Sequence, residues 1–146
     1  MVKETYSDKE TLEFGKKLGT EAVPGMIICL DGDLGTGKTM IAKGIALGLG
    51  ITEPVSSPTF TVIKEYHEGR LPLYHFDVYR IEDPVEMDEI GYEDYFFGDG
   101  VTVIEWSDMI KELIPDSALK IKLSKDMAKG FDYRKILVEG SSAVEF

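Results

Sequence analysis

The 146-residue chain contains no asparagine and no glutamine, and it has one cysteine, two histidines and three arginines. Each shortage removes a class of chemistry. Without Asn it cannot read guanine through an N-K-x-D motif. Without Gln it cannot orient water with the usual GTPase switch residue, nor carry the Gln of an ABC-type signature. A lone Cys29 excludes an internal disulfide, and two histidines with one cysteine are too few for a usual zinc site. Core packing is the expected role of this thiol. No apolar run approaches membrane-spanning length, and Met1-Val2-Lys3-Glu4 opens no signal-peptide core, so a soluble, cytoplasmic chain with no membrane partner is expected. Positive charge is also scarce. The formal net charge of −11 opposes stand-alone binding of nucleic acid, and no dense Lys/Arg run compensates. A partner with a basic face fits this balance.

The residues that are present suit one globular domain. The length and a hydrophobic share of 43% support a single core over 1–140, with 141–146 as a tail. Residues 32–39 read Gly-Asp-Leu-Gly-Thr-Gly-Lys-Thr, the G-x-x-x-x-G-K-T pattern of a phosphate-binding P-loop. Its glycines let backbone N–H groups approach phosphate oxygens, and the following helix adds donors and a partial positive charge. Leu34, Gly35, Thr36 and Gly37 are thereby candidate ATP-binding residues. Lys38 reaches terminal phosphates, and the Thr39 hydroxyl is a candidate Mg²⁺ ligand. The apolar strand-like Met26–Leu30 before the loop and the apolar Met40–Leu49 after it supply the strand–loop–helix context that the motif needs.

Elsewhere, Ser7-Asp8-Lys9-Glu10 reads as a capping box opening a helix to about Thr20. Gly48 and Gly50 read as a stop for the P-loop helix. Thr59–Tyr66 and Leu71–Tyr79, joined by a Gly-containing turn, read as an antiparallel hairpin. Pro84 is placed at the first position of a short helix, followed by a helical turn over Tyr92–Phe97. Gly100–Glu105, Leu119–Leu123 and Lys135–Val138 complete the strands. The expected fold is a three-layer α/β, P-loop NTPase-like domain, its central sheet mixed because of the hairpin, with nucleotide at the carboxyl ends of the core strands.

ATP hydrolysis requires acids near Mg²⁺ and water. Glu105 and Asp77 end the apolar runs 101–104 and 73–76, so they are the candidates; either could equally be a surface charge at a strand end. Ser57 and Thr59, in Ser56-Ser57-Pro58-Thr59-Phe60, suit a switch loop or a plain polar connection. In a strand, His75, Asp77 and Tyr79 share one face, which fits either a site or an edge strand with one wet face. The stretch Glu86–Phe97 interleaves acids with aromatics, a docking surface for a basic partner or a solvated face.

Taken in order, G-D-L-G-T-G-K-T at 32–39, S-P-T-F at 57–60, H-F-D-V-Y-R at 75–80, E-I-G-Y-E-D-Y-F at 89–96 and I-E-W at 104–106 resemble the TsaE (YjeE) family of small ATPases. The resemblance implies a role in making N6-threonylcarbamoyladenosine in tRNA. It implies ATP and Mg²⁺ as cofactors and the TsaB–TsaD heterodimer as partner, with tRNA met only through that complex. By the same resemblance Lys38 and Thr39 bind phosphate and Mg²⁺, Glu105 is a Mg²⁺-linked acid, and Asp77 is a catalytic or nucleotide-site acid. Thr59 belongs to the switch, and Asp8 and Gly130 lie near the nucleotide. Ser107 departs from the Pro or Ala common in the family after Glu-Trp. A small-molecule kinase of the P-loop class is the competing reading, opposed by the three arginines and the lack of a lid-sized insertion. A nucleotide-binding module that hydrolyses nothing is the third.

Overall fold

The computed structural model describes residues 1–33, 35–58 and 61–140; Leu34, Thr59, Phe60 and the predicted tail 141–146 lie outside the described residues. The strands are β1 (Val2–Thr5), β2 (Ile27–Asp31), β3 (Ile63–Tyr66), β4 (Leu73–Asp77), β5 (Val101–Glu105), β6 (Leu119–Ser124) and β7 (Arg134–Glu139). The helices are α1 (Asp8–Glu21), α2 (Lys38–Gly48), α3 (Glu86–Ile90) and α4 (Tyr92–Phe96), with 3₁₀ segments at Ser107–Leu113 and Met127–Lys129.

The strands form one sheet in the order β1-β7-β6-β2-β5-β4-β3. Strands β6, β2, β5 and β4 run parallel, and antiparallel strands flank them on both sides. The mixed sheet is as expected. However, the hairpin supplies one edge rather than the centre, and the β1–β7–β6 meander supplies the other antiparallel part. The sequence reading had left β1 unassigned. Its first three residues are exposed, so no alternation of apolar and polar residues marks it. β5 is buried at every position, as suits a strand covered on both faces.

One face of the sheet, with Ile28, Leu30, Leu73, Val101, Val103, Leu119 and Ile121, packs against α1 and α2. The other, with Ile27, Cys29, Phe76 and Ile104, packs against Met87, Phe96 and Ile110. These are the three layers. Cys29 is fully buried, and burial pushes its thiol up to about 12, consistent with a packing role.

Helix α1 starts where the capping box predicts. Ser7 Oγ accepts from Glu10 N at 3.1 Å, and the Glu10 carboxylate accepts from Tyr6 N at 3.0 Å and from Ser7 Oγ at 3.4 Å. Its buried positions Thr11, Phe14, Gly15, Leu18 and Gly19 follow helical spacing. Gly48 is the last residue of α2, where the sequence places the stop, and it also packs against α1. A Cβ there would sit 2.2 Å from Lys16 O, and one at Gly44 2.3 Å from Leu12 O. Gly15 and Gly19 face α2 equally closely. Four glycines thus bring two helix backbones into contact, and Gly50, with φ of +86°, follows the helix end. Arg70 donates to Gly19 O, Thr20 O and Ala22 O, satisfying the last carbonyls of α1. Among the described residues, no helix is long and apolar enough to cross a membrane.

Two boundaries shift from expectation. Strand β3 begins at Ile63, after Val62 adopts φ of +67°, which breaks the extended run. Pro84 lies in a turn before α3, held by Asp83 Oδ1 accepting from Val85 N at 3.0 Å, and α3 itself has no side-chain cap.

Candidate nucleotide site

The carboxyl ends of β2, β5 and β4 meet the start of α2 in a cleft of about 460 Å³. Its lining includes Asp8, Gly35, Gly37, Lys38, Thr39, Ser57, Asp77, Glu105, Trp106 and Arg134. Sequence pattern explains why these groups converge. In the parallel register Asp77 stands beside Glu105, so both strand-ending acids emerge together on the face that carries α2. Gly37 holds φ of +100°, a conformation suited to glycine, and no side chain caps α2. The first-turn N–H groups of α2 therefore lack a side-chain acceptor, and the helix presents its positive end to the cleft.

Lys38 is buried, with its ammonium folded against the loop. It donates to Gly32 O and, at 2.9 Å, to Asp33 O, and it lies 4.0 Å from the centre of the Trp106 ring. Burial pushes its pKa down, while Glu105, Asp31, Asp77 and Asp33 pull the other way. Trp106 in turn stacks on Tyr79, ring centres 4.7 Å apart. Trp106 holds φ of +62°, a conformation costing a non-glycine residue about 1–2 kcal/mol. The second strained residue, Val62, accepts from Asp77 N at 2.8 Å. Backbone strain thus flanks both acids of the cleft.

Glu105 is the hub. Its Oε2 accepts from Ser57 Oγ at 2.6 Å and lies 2.6 Å from His75 Nε2. Ser57 Oγ is also 3.0 Å from Thr39 Oγ1. A hydrogen-bonded chain therefore runs from buried His75 through Glu105 and Ser57 to Thr39. Burial pushes the Glu105 carboxyl up, but the hydrogen bond from His75, the Ser57 hydroxyl and the Lys38 ammonium outweigh it and hold the group below the usual carboxylate range. Asp77 goes the other way. Burial and the neighbouring Glu105 raise it, against the opposing hydrogen bond from Tyr79 N. Two adjacent acids with pKa values driven apart are a pattern of acid–base sites.

The donor set can be tested for a metal. Among the described residues no group of three His, Cys, Asp or Glu can hold an ion by itself. Thr39, Ser57 and Glu105 present oxygen only. One carboxylate with hydroxyls fits Mg²⁺, which keeps several waters and takes phosphate oxygens from its substrate.

Placement of the other predicted residues is uneven. Asp8, at the start of α1, lines the cleft. Thr36 is buried and turned inward, its Oγ1 donating to Asp33 O at 2.7 Å, so its side chain braces the loop. Gly130 is exposed in the β6–β7 connection and is not among the lining residues. Leu34 and Thr59 lie outside the described residues. Tyr79 is not on β4 with His75 and Asp77, because the strand ends at Asp77. Nor is β4 an edge: it pairs with β3 and β5, and His75 is fully buried.

Two contributors have no local signal in the sequence, and a third has a different partner from the one expected. Arg134 Nε donates to Thr36 O at 2.8 Å and tethers the loop from β7, ninety-eight residues away. Asp31 ends β2 and accepts from Ser107 Oγ at 2.5 Å, so the residue that departs from the family pattern ties two strand ends together. His75, which the sequence reading grouped with Asp77, serves Glu105 instead. Strand alternation carried a signal for His75, whereas the other two contacts had no local one.

The family described as "Threonylcarbamoyl adenosine biosynthesis protein TsaE" matches residues 5–136, nearly the whole described fold and every lining residue of the cleft. The chain belongs to the TsaE family. The tRNA threonylcarbamoyladenosine biosynthesis protein TsaE of Bacillus subtilis is 48% identical over 132 residues, covering 90% of this chain and 80% of that protein. The Nostoc protein of the same name is 50% identical over 113 residues, covering 74% and 69%. The crystal structure of Bacillus subtilis YdiB superposes with a TM-score of 0.83 at 40% identity, covering 97% of this chain and 86% of that one. The family's role in tRNA threonylcarbamoyladenosine biosynthesis therefore applies to this chain, and the α/β fold is that of its structural neighbour.

Proposed function

We propose that this chain is an ATPase subunit that binds the TsaB–TsaD heterodimer and supports its turnover in the modification of tRNA. The observation that carries the ATPase reading is the convergence of Lys38, Thr39, Glu105 and Asp77 on one cleft at the N-terminus of α2. Lys38 neutralises charge on the transferring phosphates, exchanging its loop carbonyls for phosphate oxygens. Thr39 and Glu105 hold Mg²⁺, with Ser57 bridging them; the ion supplies Lewis-acid polarisation of phosphate oxygens when bound. Asp77, its carboxyl raised, accepts a proton from water near the phosphates. The cleft belongs to a cytoplasmic enzyme that meets tRNA only through its partners.

The partner surface in this reading is the acidic face of α3 and α4. Three of the four aromatics of this stretch turn inward: Phe96 is buried, Tyr95 packs on Tyr74 and Phe76, and Tyr92 packs on Phe96. Glu86 is engaged as a cap, accepting from Glu82 N and Asp83 N at 2.9 Å each. Asp88, Glu89, Glu93 and Asp94 remain exposed, beside exposed Phe97 and Val85. Glu86 and Pro58 line a second cleft that also reaches Asp77, so this face is continuous with the switch segment and the nucleotide site.

Phosphate release from ATP and Mg²⁺, measured with and without purified TsaB–TsaD, tests the proposal. Release that rises when the heterodimer is added supports it. No release in either condition, with a correctly folded chain, refutes it.

A further inference from the structure

His75 is fully buried on β4, two residues before Asp77, and contacts the carboxylate of Glu105, which lines the cleft. Its Nδ1 is buried and, among the described residues, has no hydrogen-bond partner. A histidine placed for packing alone would not leave a ring nitrogen orphaned, since leucine or phenylalanine fills such space without that penalty. The ring makes one polar contact of consequence, 2.6 Å from Nε2 to Glu105 Oε2. Ser57 donates to that same oxygen. Two donors on one carboxylate oxygen fix the plane of the group and leave the second oxygen of this cleft-lining residue for another ligand.

We propose that His75 is a positioning residue for Glu105. Its Nε2–H anchors Oε2 from below, so that Oε1 is held ready for the Mg²⁺ that the ATPase reading places between Thr39 and Glu105. The inference rests on that reading for the identity of the cation. The assignment uses the tautomer with hydrogen on Nε2 and the lone pair on Nδ1, which leaves no orphaned donor. Metal-ligating carboxylates are commonly held in this way by an outer hydrogen bond, and loss of such a partner costs roughly 10–100-fold in metal affinity or activity.

The side-chain amide nitrogen of glutamine can occupy the place of histidine Nε2, whereas asparagine is too short to reach it. Full-length His75→Gln, His75→Asn and His75→Phe proteins would be compared by thermal melting, by calorimetric titration of ADP at varied Mg²⁺, and by ATP turnover with TsaB–TsaD. The expected result is that Asn and Phe raise the Mg²⁺ concentration for half-maximal nucleotide binding roughly 10-fold or more, that kcat falls while the KM for ATP holds within about threefold, and that Gln recovers most of both. Unchanged Mg²⁺ dependence in folded Asn and Phe variants overturns the proposal, as does loss that follows the melting temperature regardless of the donor. The Mg²⁺ titration does not need turnover, so absence of hydrolysis in the parent protein would refute the ATPase reading without deciding this one. Should the histidine variants fail to fold, Ser57→Ala removes the other donor from Oε2. The Mg²⁺ requirement then rises by a smaller factor if the carboxylate is anchored as proposed, and does not move if it is not.

Discussion

The α1–α2 contact and the cleft lie on the same face of one sheet and are built on opposite terms. Between the helices, glycines at 15, 19, 44 and 48 remove side chains so that backbone meets backbone. The surrounding core of Phe14, Leu18, Ile41, Ile45 and Leu49 is apolar and buried. At the strand ends, the same fold buries Glu105, Lys38 and His75 and, among the described residues, leaves Asp31 Oδ1 and His75 Nδ1 without hydrogen-bond partners. Each orphaned atom costs about 1–3 kcal/mol, and Trp106 adds backbone strain. A fold that tolerates such costs in one place and none in the other separates the region that holds it together from the region that performs chemistry.

The comparison breaks most sharply at Lys38. Lys38→Ala is expected to lower ATP turnover by about 100-fold or more while leaving the melting temperature close to the parent's, because it relieves a buried cation. Parallel turnover and melting assays check both halves. Gly44→Ala should do the reverse. The added Cβ meets Leu12 O at 2.3 Å and forces α1 and α2 apart, at a cost of about 1–3 kcal/mol. The melt should fall by roughly 2–4 °C per kcal/mol, with turnover at low temperature unchanged.

Outside both regions, reversing Glu89 and Glu93 to Lys tests the acidic face. Affinity for TsaB–TsaD, read by calorimetry, should weaken by about 10-fold or more at low salt, with nucleotide binding by the free chain intact. Unchanged affinity would move the interface elsewhere.

The smallest effect sharpens the contrast through pH. The Asp77 carboxyl is pushed above the ordinary range by burial, so ionising it costs the folded state stability. Below the ordinary aspartate pKa the group is protonated in both folded and unfolded chains and this cost is absent; above the raised folded value it is complete. Asp77→Asn keeps an acceptor for Tyr79 N and cannot ionise. It should melt above the parent at neutral pH, converge with it near about pH 4, and hydrolyse ATP more slowly.

Most of the architecture was legible because it is written locally. The capping box, the strand–loop–helix around 32–39 and the apolar runs ending in acids are short patterns with one good structural solution. What escaped was non-local. β1 is an exposed edge whose partner β7 lies at the far end of the chain. Arg134 reaches Thr36 across the sheet, and Ser107 meets Asp31 only because β2 and β5 are neighbours. Gly48 and Gly50 mark the end of α2 as the sequence implies, whereas the close approach of Gly15, Gly19, Gly44 and Gly48 depends on a helix crossing that no local pattern shows. At the site, the P-loop and both acids were found from sequence, while the buried histidine that serves Glu105 required the register of β4 on β5.

The central claim is that Glu105, anchored by buried donors, acts on the reaction rather than on nucleotide affinity. Glu105→Gln keeps the size of the side chain and removes its charge. With TsaB–TsaD present and ATP and Mg²⁺ saturating, phosphate release measured beside calorimetric ADP affinity tests the claim directly. The account predicts release lowered by about 100-fold or more, with affinity within about threefold of the parent. Release at the parental rate would contradict it.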